Sequence, residues 1–244
     1  RAISRASRPA RAAPKRAGAI GGLAPALSAF SGTVAVVRPG LRRAVASRFS
    51  AVGRRFDTVS FLSDLGVGSD TVGVVRAIVR DLAPHAVVVD LTHAIAPYDV
   101  RGGSLSLARA IGYVPSGVVV ASVDPASDRP HVAVEVAGGE GVLVGPDNGV
   151  LAPAVAIAGG AERAVVLSDA ALHLPSPGGV LAVRDIYAPV AAHLCNGVDL
   201  ADLGEAVAVE ALLPGVVPIS RTGDDGAVVA EVLWVNHLGD CQLN

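Results

Sequence analysis

Methionine is absent from all 244 residues, position 1 included, cysteine occurs only at 195 and 241, and aromatic side chains make up 3%. Two cysteines so far apart offer neither a disulfide framework nor zinc-ligand spacing, so a reducing, cytoplasmic setting is the expectation. Acid is missing from residues 1–55, which hold twelve of the twenty basic groups, eleven arginines and Lys15. The remaining eight basic groups face 22 acidic ones, so the near-neutral total of −2 conceals a formal charge of −14 from residue 56 onward. The basic segment is therefore not ordinary surface for the rest. Its Arg, Ala, Ser and Pro bias fits an organellar transit peptide, an unstructured basic arm, or upstream coding text read from a misplaced start, the last favoured by the missing methionine. The uncharged stretch 17–37 is long enough to span a bilayer, but Gly, Pro and Ser interrupt it and large apolar side chains are few. A membrane span is not expected there, and no later apolar run reaches spanning length.

What is present is a globular composition, 51% hydrophobic and 17% charged, sufficient for one substantial core. From Thr58 short β-branched runs alternate with stretches of helical period. Residues 58–63 read as a strand, 70–82 as a helix and 86–91 as a second strand. The layout then repeats, with a helix at 103–112, a turn at Pro115-Ser116-Gly117 and a strand at 118–123. Both units run helix, proline turn, valine-rich strand, aspartate. Uninterrupted valine runs suit strands buried on both faces, and the intervening helices supply the crossovers that parallel pairing needs. The fold class expected is α/β, a parallel βαβ sheet over 56–197. Further strands are expected at 132–136, 141–144 and 164–167, a helix at 186–194, and a Pro/Gly-rich loop at 174–179. Residues 198–244 read as a linker and the start of a truncated, barrel-like β domain, with a strand at 227–235.

Three strands of this scheme end in a carboxylate, Asp64, Asp90 and Asp124, and parallel strands share the carboxyl edge where open α/β folds bind ligands. Asp64 opens the loop Leu65-Gly66-Val67-Gly68-Ser69-Asp70, whose glycines allow close backbone approach. A carboxylate there can accept two hydrogen bonds from a ribose diol, or can simply close an Asx turn or cap a helix. Asp90 and His93 suit a metal pair or a locally bonded strand end, and Pro146-Asp147-Asn148-Gly149 is a natural turn.

The order of these blocks is more specific than any one of them. Phe61-Leu62-Ser63-Asp64-Leu65-Gly66, Asp90-Leu91-Thr92-His93, Val123-Asp124-Pro125, Gly145-Pro146-Asp147-Asn148-Gly149 and Arg184-Asp185-Ile186-Tyr187-Ala188-Pro189 follow one another along the chain. In that order they resemble the S-adenosylmethionine hydroxide adenosyltransferases, relatives of the fluorinase and chlorinase. The resemblance implies that water or hydroxide displaces methionine from the 5′ carbon of S-adenosylmethionine, giving adenosine and methionine. It implies Asp124 and Arg129 as catalytic residues and Asp64, Asp70, Asp147, Asn148, Asn236 and Asp240 as substrate-binding residues. It also implies a homotrimer, with S-adenosylmethionine as substrate and neither metal nor other cofactor, and with no nucleic-acid or membrane partner. The halogenating relatives carry a tyrosine where this chain has Asp124, so hydroxide is the expected nucleophile.

The chain departs from the family pattern in three places. Asp124-Pro125-Ala126-Ser127-Asp128-Arg129 is shorter than the family's glycine-rich Asp-Pro-Gly-Val-Gly stretch. Leu181-Ala182-Val183-Arg184-Asp185 stands where the family reads Phe-His-Gly-Arg-Asp, so Ala182 replaces the histidine proposed to manage the water. His131, His173 and His93 are the candidates to substitute for it. Asn236-His237-Leu238-Gly239-Asp240 resembles the family's Asp-x-Phe-Gly-Asn with its ends exchanged, which removes an anion facing the substrate ammonium and weakens binding by roughly tenfold or more. Two other function classes follow: a catalytically weakened S-adenosylmethionine or nucleoside binder, and a metal-dependent hydrolase using Asp64, Asp90, His93 and Asp124.

Overall fold

Seven short runs rich in Val and Ala build one sheet in the computed structural model, which describes residues 53–176, 179–215 and 220–244. The strands are β1 (Thr58–Ser63), β2 (Val87–Thr92), β3 (Gly117–Ser122), β4 (His131–Val136), β5 (Gly141–Pro146), β6 (Ala161–Val166) and β7 (Ala206–Val207). Their spatial order is β2-β1-β3-β5-β4-β6-β7. The pairs β1/β2, β1/β3 and β3/β5 are parallel, whereas β4 pairs antiparallel with both β5 and β6, and β7 antiparallel with β6. Five strands thus run one way and only β4 and β7 oppose them. The βαβ half is parallel as expected, but the sheet as a whole is mixed. The β4–β5 link is a short turn in which Gly138 and Gly139 take φ of 80° and 67°, so the chain reverses without the crossover that parallel pairing demands.

Burial explains why the central strands read as continuous apolar runs. β1, β3 and β5 are buried at every position, yet their side chains divide with period two between two cores. Val59, Phe61, Val118, Val120, Val142 and Val144 join one core, with α1 (Asp70–Leu82) and α4 (Ala188–Cys195). Leu62, Val119, Ala121 and Leu143 join the other, with α2 (Val100–Ala110) and α3 (Ala152–Ile157). Helices on both faces make a three-layer unit. Gly145 permits the close approach of β5 to β3, because a Cβ there would meet the Ala121 carbonyl oxygen at 2.5 Å.

β2 differs from its expected double burial. It is the edge strand, leaving Val87 and Val89 exposed, and it runs on to Thr92, so Asp90 sits within it rather than after it. The π-type turn Val183–Tyr187 followed by α4 fulfils the helix expected at 186–194, whereas α3 and β7 carried no signal that was read. The residues at 227–235 form two strands rather than one. β8 (Arg221–Thr222) pairs with β9 (Val228–Val229), and β10 (Val232–Val235) pairs with β11 (Cys241–Leu243), both antiparallel. Among the described residues these remain separate two-stranded ladders with no closed barrel. The basic segment 1–52 and the uncharged stretch within it lie outside the described residues. No helix among the described residues is long and apolar enough to cross a membrane.

Candidate active site

Parallel pairing of β1 with β3 places Ser63 beside Ser122, and the ladder continues one step as the Asp64 N–H donates to the Ser122 carbonyl at 3.2 Å. The two aspartates that follow these strands are therefore joined, the side chain of one to the backbone of the other. Asp64 Oδ2 accepts the backbone N–H of Asp124 at 3.2 Å and that of Tyr98 at 3.0 Å. Asp124 and Tyr98 are also the only non-glycine residues with positive φ among those described, at 47° and 64°. Left-handed backbone costs a side-chain-bearing residue of order 1–3 kcal/mol and persists where its surroundings over-determine it. Here one carboxylate oxygen is the common acceptor for both, while Oδ1 of Asp64 has no partner among the described residues.

The loop between β1 and α1 supports Asp64 from behind. Gly66, at φ 87°, donates to the His93 carbonyl at 2.8 Å, and His93 Nδ1 is hydrogen-bonded to Ser63 Oγ at 2.8 Å. The His93 ring lies over Phe61 with centroids 4.6 Å apart. Burial, and then the nearby Arg76 charge, hold His93 below the ordinary imidazole value. Its Nε2 lies 3.3 Å from Asp90 Oδ1 without hydrogen-bond alignment, and Asp90 is itself ion-paired with Arg76. Asp90 and His93 are thus committed to local partners. Among the described residues no group of three or more His, Cys, Asp or Glu is arranged to hold a metal ion.

Arg129 and Asp147 are brought together. The guanidinium donates from Nε to the Asp147 carbonyl at 2.9 Å and from an Nη to Asp147 Oδ2, while Oδ1 accepts the Leu213 N–H at 2.8 Å. Both oxygens of this buried carboxylate are therefore occupied by the chain itself. Asn148 is similarly engaged: Nδ2 donates to the carbonyls of Val123 at 2.9 Å and Asp124 at 3.3 Å, and Oδ1 accepts the Val150 N–H at 3.2 Å. Asn148 thus spends both amide hydrogens on the chain, and each Asp147 oxygen already accepts one bond from it. An apolar cavity of about 390 Å³ adjoins Asp147 on the side of Leu151, Val155 and Leu213.

The other expected residues lie apart from the Asp64–Asp124 pair. Asp70 is exposed in the first turn of α1, where its charge suits the helix dipole, and it makes no bond to the pair. Asn236 and Asp240 face each other across the β10–β11 turn: Asn236 Nδ2 donates to Asp240 Oδ2 at 2.7 Å, and Asn236 Oδ1 accepts the Asp240 N–H at 2.8 Å. The turn itself, rather than a ligand, uses these groups.

Ala182 is buried in the core beside the bidentate pair of Arg184 with Asp185, bonded at 2.6 and 2.8 Å. His131 Nδ1 is hydrogen-bonded to the Tyr187 hydroxyl at 2.7 Å, and His173 Nε2 is buried without a partner. Neither of these histidines, nor His93, is hydrogen-bonded to Asp124 or Arg129. Tyr98, for which sequence reasoning found no role, reaches Asp64 through its backbone N–H alone, a contact that no side-chain pattern announces.

The domain family described as SAM hydroxide adenosyltransferase N-terminal domain matches residues 59–204. A protein of Salinispora tropica named (R)-S-adenosyl-L-methionine hydrolase is 41% identical over 185 residues, covering 76% of this chain and 70% of that protein. A protein of the same name from Thermus thermophilus is 39% identical over 191 residues, covering 75% of this chain and 72% of its own length. The crystal structure of an uncharacterized conserved protein from Thermotoga maritima superposes with a TM-score of 0.68 at 29% identity, covering 76% of this chain and 70% of that one. A fluorinase from Actinoplanes matches at the lower identity of 23%, over 73% of this chain and 68% of its own. The order of the five sequence blocks and these similarities agree: the chain belongs to the SAM hydroxide adenosyltransferase family.

Proposed function

We propose that this chain hydrolyses S-adenosylmethionine to adenosine and methionine. The observation that carries the reading is the direct bond between the Asp64 carboxylate and the Asp124 backbone at one sheet edge. Asp64 Oδ1 is then available to a ribose hydroxyl while Asp124 faces the carbon under attack. A water oxygen bonds to the 5′ carbon as the carbon–sulfur bond breaks, and both electrons of that bond stay on sulfur. Methionine departs as a neutral thioether, so departure needs no acid, and the task left to the protein is to orient the water and accept its proton at Asp124. A carboxylate at this position also disfavours halide, by up to about 4 kcal/mol at 4 Å for an effective dielectric near 20.

Incubation in water enriched in oxygen-18 tests the reaction. The expected products are equimolar adenosine and methionine, with the heavy oxygen in the adenosine 5′-hydroxyl and none in methionine. Recovery of intact substrate overturns the reading. Ala182 and the docking of Arg129 on Asp147 favour a second reading, a weakened binder, which calorimetric binding without turnover would establish.

Three finer statements belong to the same proposal. The C-terminal ladders belong to a barrel-like domain, supported by their antiparallel pairing. The assembly is a homotrimer, supported by the exposed Trp234, Val235 and Leu238 beside Asn236 and Asp240, which no bond ties to the Asp64 edge of their own chain. Light scattering checks this against three times the 24.4 kDa chain. The setting is reducing and cytoplasmic, supported by two free cysteines.

A further inference from the structure

We infer that Asn148 is a positioning residue that fixes the left-handed backbone of Asp124 from the side opposite Asp64. The inference rests on the proposed hydrolysis and assigns to Asn148 a role within that site. Asp124 is held at both ends of its own residue: its N–H is bound by Asp64 Oδ2 at 3.2 Å and its carbonyl by Asn148 Nδ2 at 3.3 Å. The same amide also grips the preceding carbonyl, that of Val123, at 2.9 Å. Two consecutive carbonyls converging on one NH2 group fix the orientation of the peptide between them, because that peptide cannot rotate without losing one of the two bonds. The Asn148 side chain is in turn locked by the Val150 N–H on its Oδ1, so all of its amide is directed inward.

The need for such a grip comes from the sequence. Asp124 carries a side chain yet takes φ 47°, a region that glycine enters freely and other residues do not. Within its own loop the Ser127 N–H also donates to the Asp124 carbonyl at 3.3 Å, the same length as the bond from Asn148. With the backbone free to relax to negative φ, the Asp124 side chain would leave the direction that this backbone gives it, and nucleophile alignment tolerates little displacement.

Two variants test this. Asn148→Ala removes the amide; Asn148→Asp keeps the oxygen that accepts from Val150 but sets a second oxygen against the two carbonyls. For both, kcat for S-adenosylmethionine hydrolysis is expected to fall by roughly a hundredfold, with KM within about threefold of the parent. In the ligand-free protein, amide exchange of peptides covering 123–129 is expected to quicken by roughly tenfold, while that of β1 and β3 is unchanged. A KM that rises with kcat intact would make Asn148 a substrate contact and overturn the proposal. So would unchanged exchange at 123–129 in either folded variant, whatever happens to kcat. Should the parent protein leave S-adenosylmethionine intact, the hydrolase reading fails, and the exchange measurement still decides whether Asn148 holds Asp124.

Discussion

At the scale of single residues, the proposed hydrolysis gives Asp124 and Asp64 distinct work. Asp124 is a half-buried carboxylate on a strained backbone, and Asp64 spends one oxygen on that backbone and keeps the other. Asp124→Asn keeps the shape but cannot accept a proton, so kcat is expected to drop by about 10²–10⁴-fold with little change in KM, as steady-state kinetics would register. Ala182 leads to a different expectation. It is 7% exposed and surrounded by Val183, Ile186 and Tyr187 of the same core. Ala182→His therefore forces an imidazole into filled space and should destabilise the protein by about 1–3 kcal/mol, read as a lower urea midpoint. Recovery of the family motif at this position is thus opposed by packing before any gain in chemistry is felt. Asp64 and Asp124 were legible in the sequence because an acid after a β-run announces a sheet edge. Arg129 and Asp147 were legible as candidates but not as partners, since nothing in their spacing shows that the guanidinium of one closes on the carboxylate of the other.

At the scale of elements, the strands and long helices were readable because burial writes period two or period 3.6 into the sequence, as in α1 with Val72, Val75 and Val79 inward. What was not readable was direction. The β4–β5 reversal depends on Gly138 and Gly139 within four residues, and an apolar run such as 131–136 looks the same in either orientation. Helix α3, at six residues of Ala, Pro, Val and Ile, is too short for a period to show. Helix α4 carries a testable consequence of burial. Its His193 is driven down to about 4 by burial and, secondarily, by nearby His173, while His173 and His131 are lowered by the same burial. The His193 imidazole stays neutral in the fold down to about 4 but takes up its proton once unfolded, and the lowering of His173 and His131 acts in the same direction. Below the unfolded value of 6.5 the unfolded state binds more protons, so stability is full at neutral pH, falls as the pH drops through 6.5, and levels only below about 4. For His193 alone the loss is on the order of 3 kcal/mol. Urea unfolding at pH 7.5 and pH 4.5 should show this fall, and His193→Asn should flatten it.

At the scale of the whole chain, stability is distributed unevenly between the sheet and the C-terminal ladders. The central strands β1, β3 and β5 are buried from end to end between two helical layers, and opening any of them exposes both cores. β10 and β11 are joined to α2 by far less. Arg101 and Glu231 form an ion pair with both partners about half exposed, and Arg109 sits 4.5 Å over the Trp234 ring. An exposed ion pair contributes about 0–1 kcal/mol and a cation–π contact at a partly exposed site about 0.5–1 kcal/mol, so these two contacts add little to the hairpin's hold on α2. Around it Val228, Val229, Val232, Val235 and Leu243 remain exposed. Opening of the ladders therefore precedes opening of the sheet. Hydrogen exchange should show peptides from 228–243 exchanging through local opening, with β1, β3 and β5 exchanging only on global unfolding, and Arg109→Ala should accelerate the first set alone. If protection at 228–243 in the free chain equals that of β3, the hairpin is covered by something stronger than these two contacts. A dilution series would then show whether that cover is a second copy of the chain, since protection from an intermolecular contact falls with concentration whereas an intramolecular one does not.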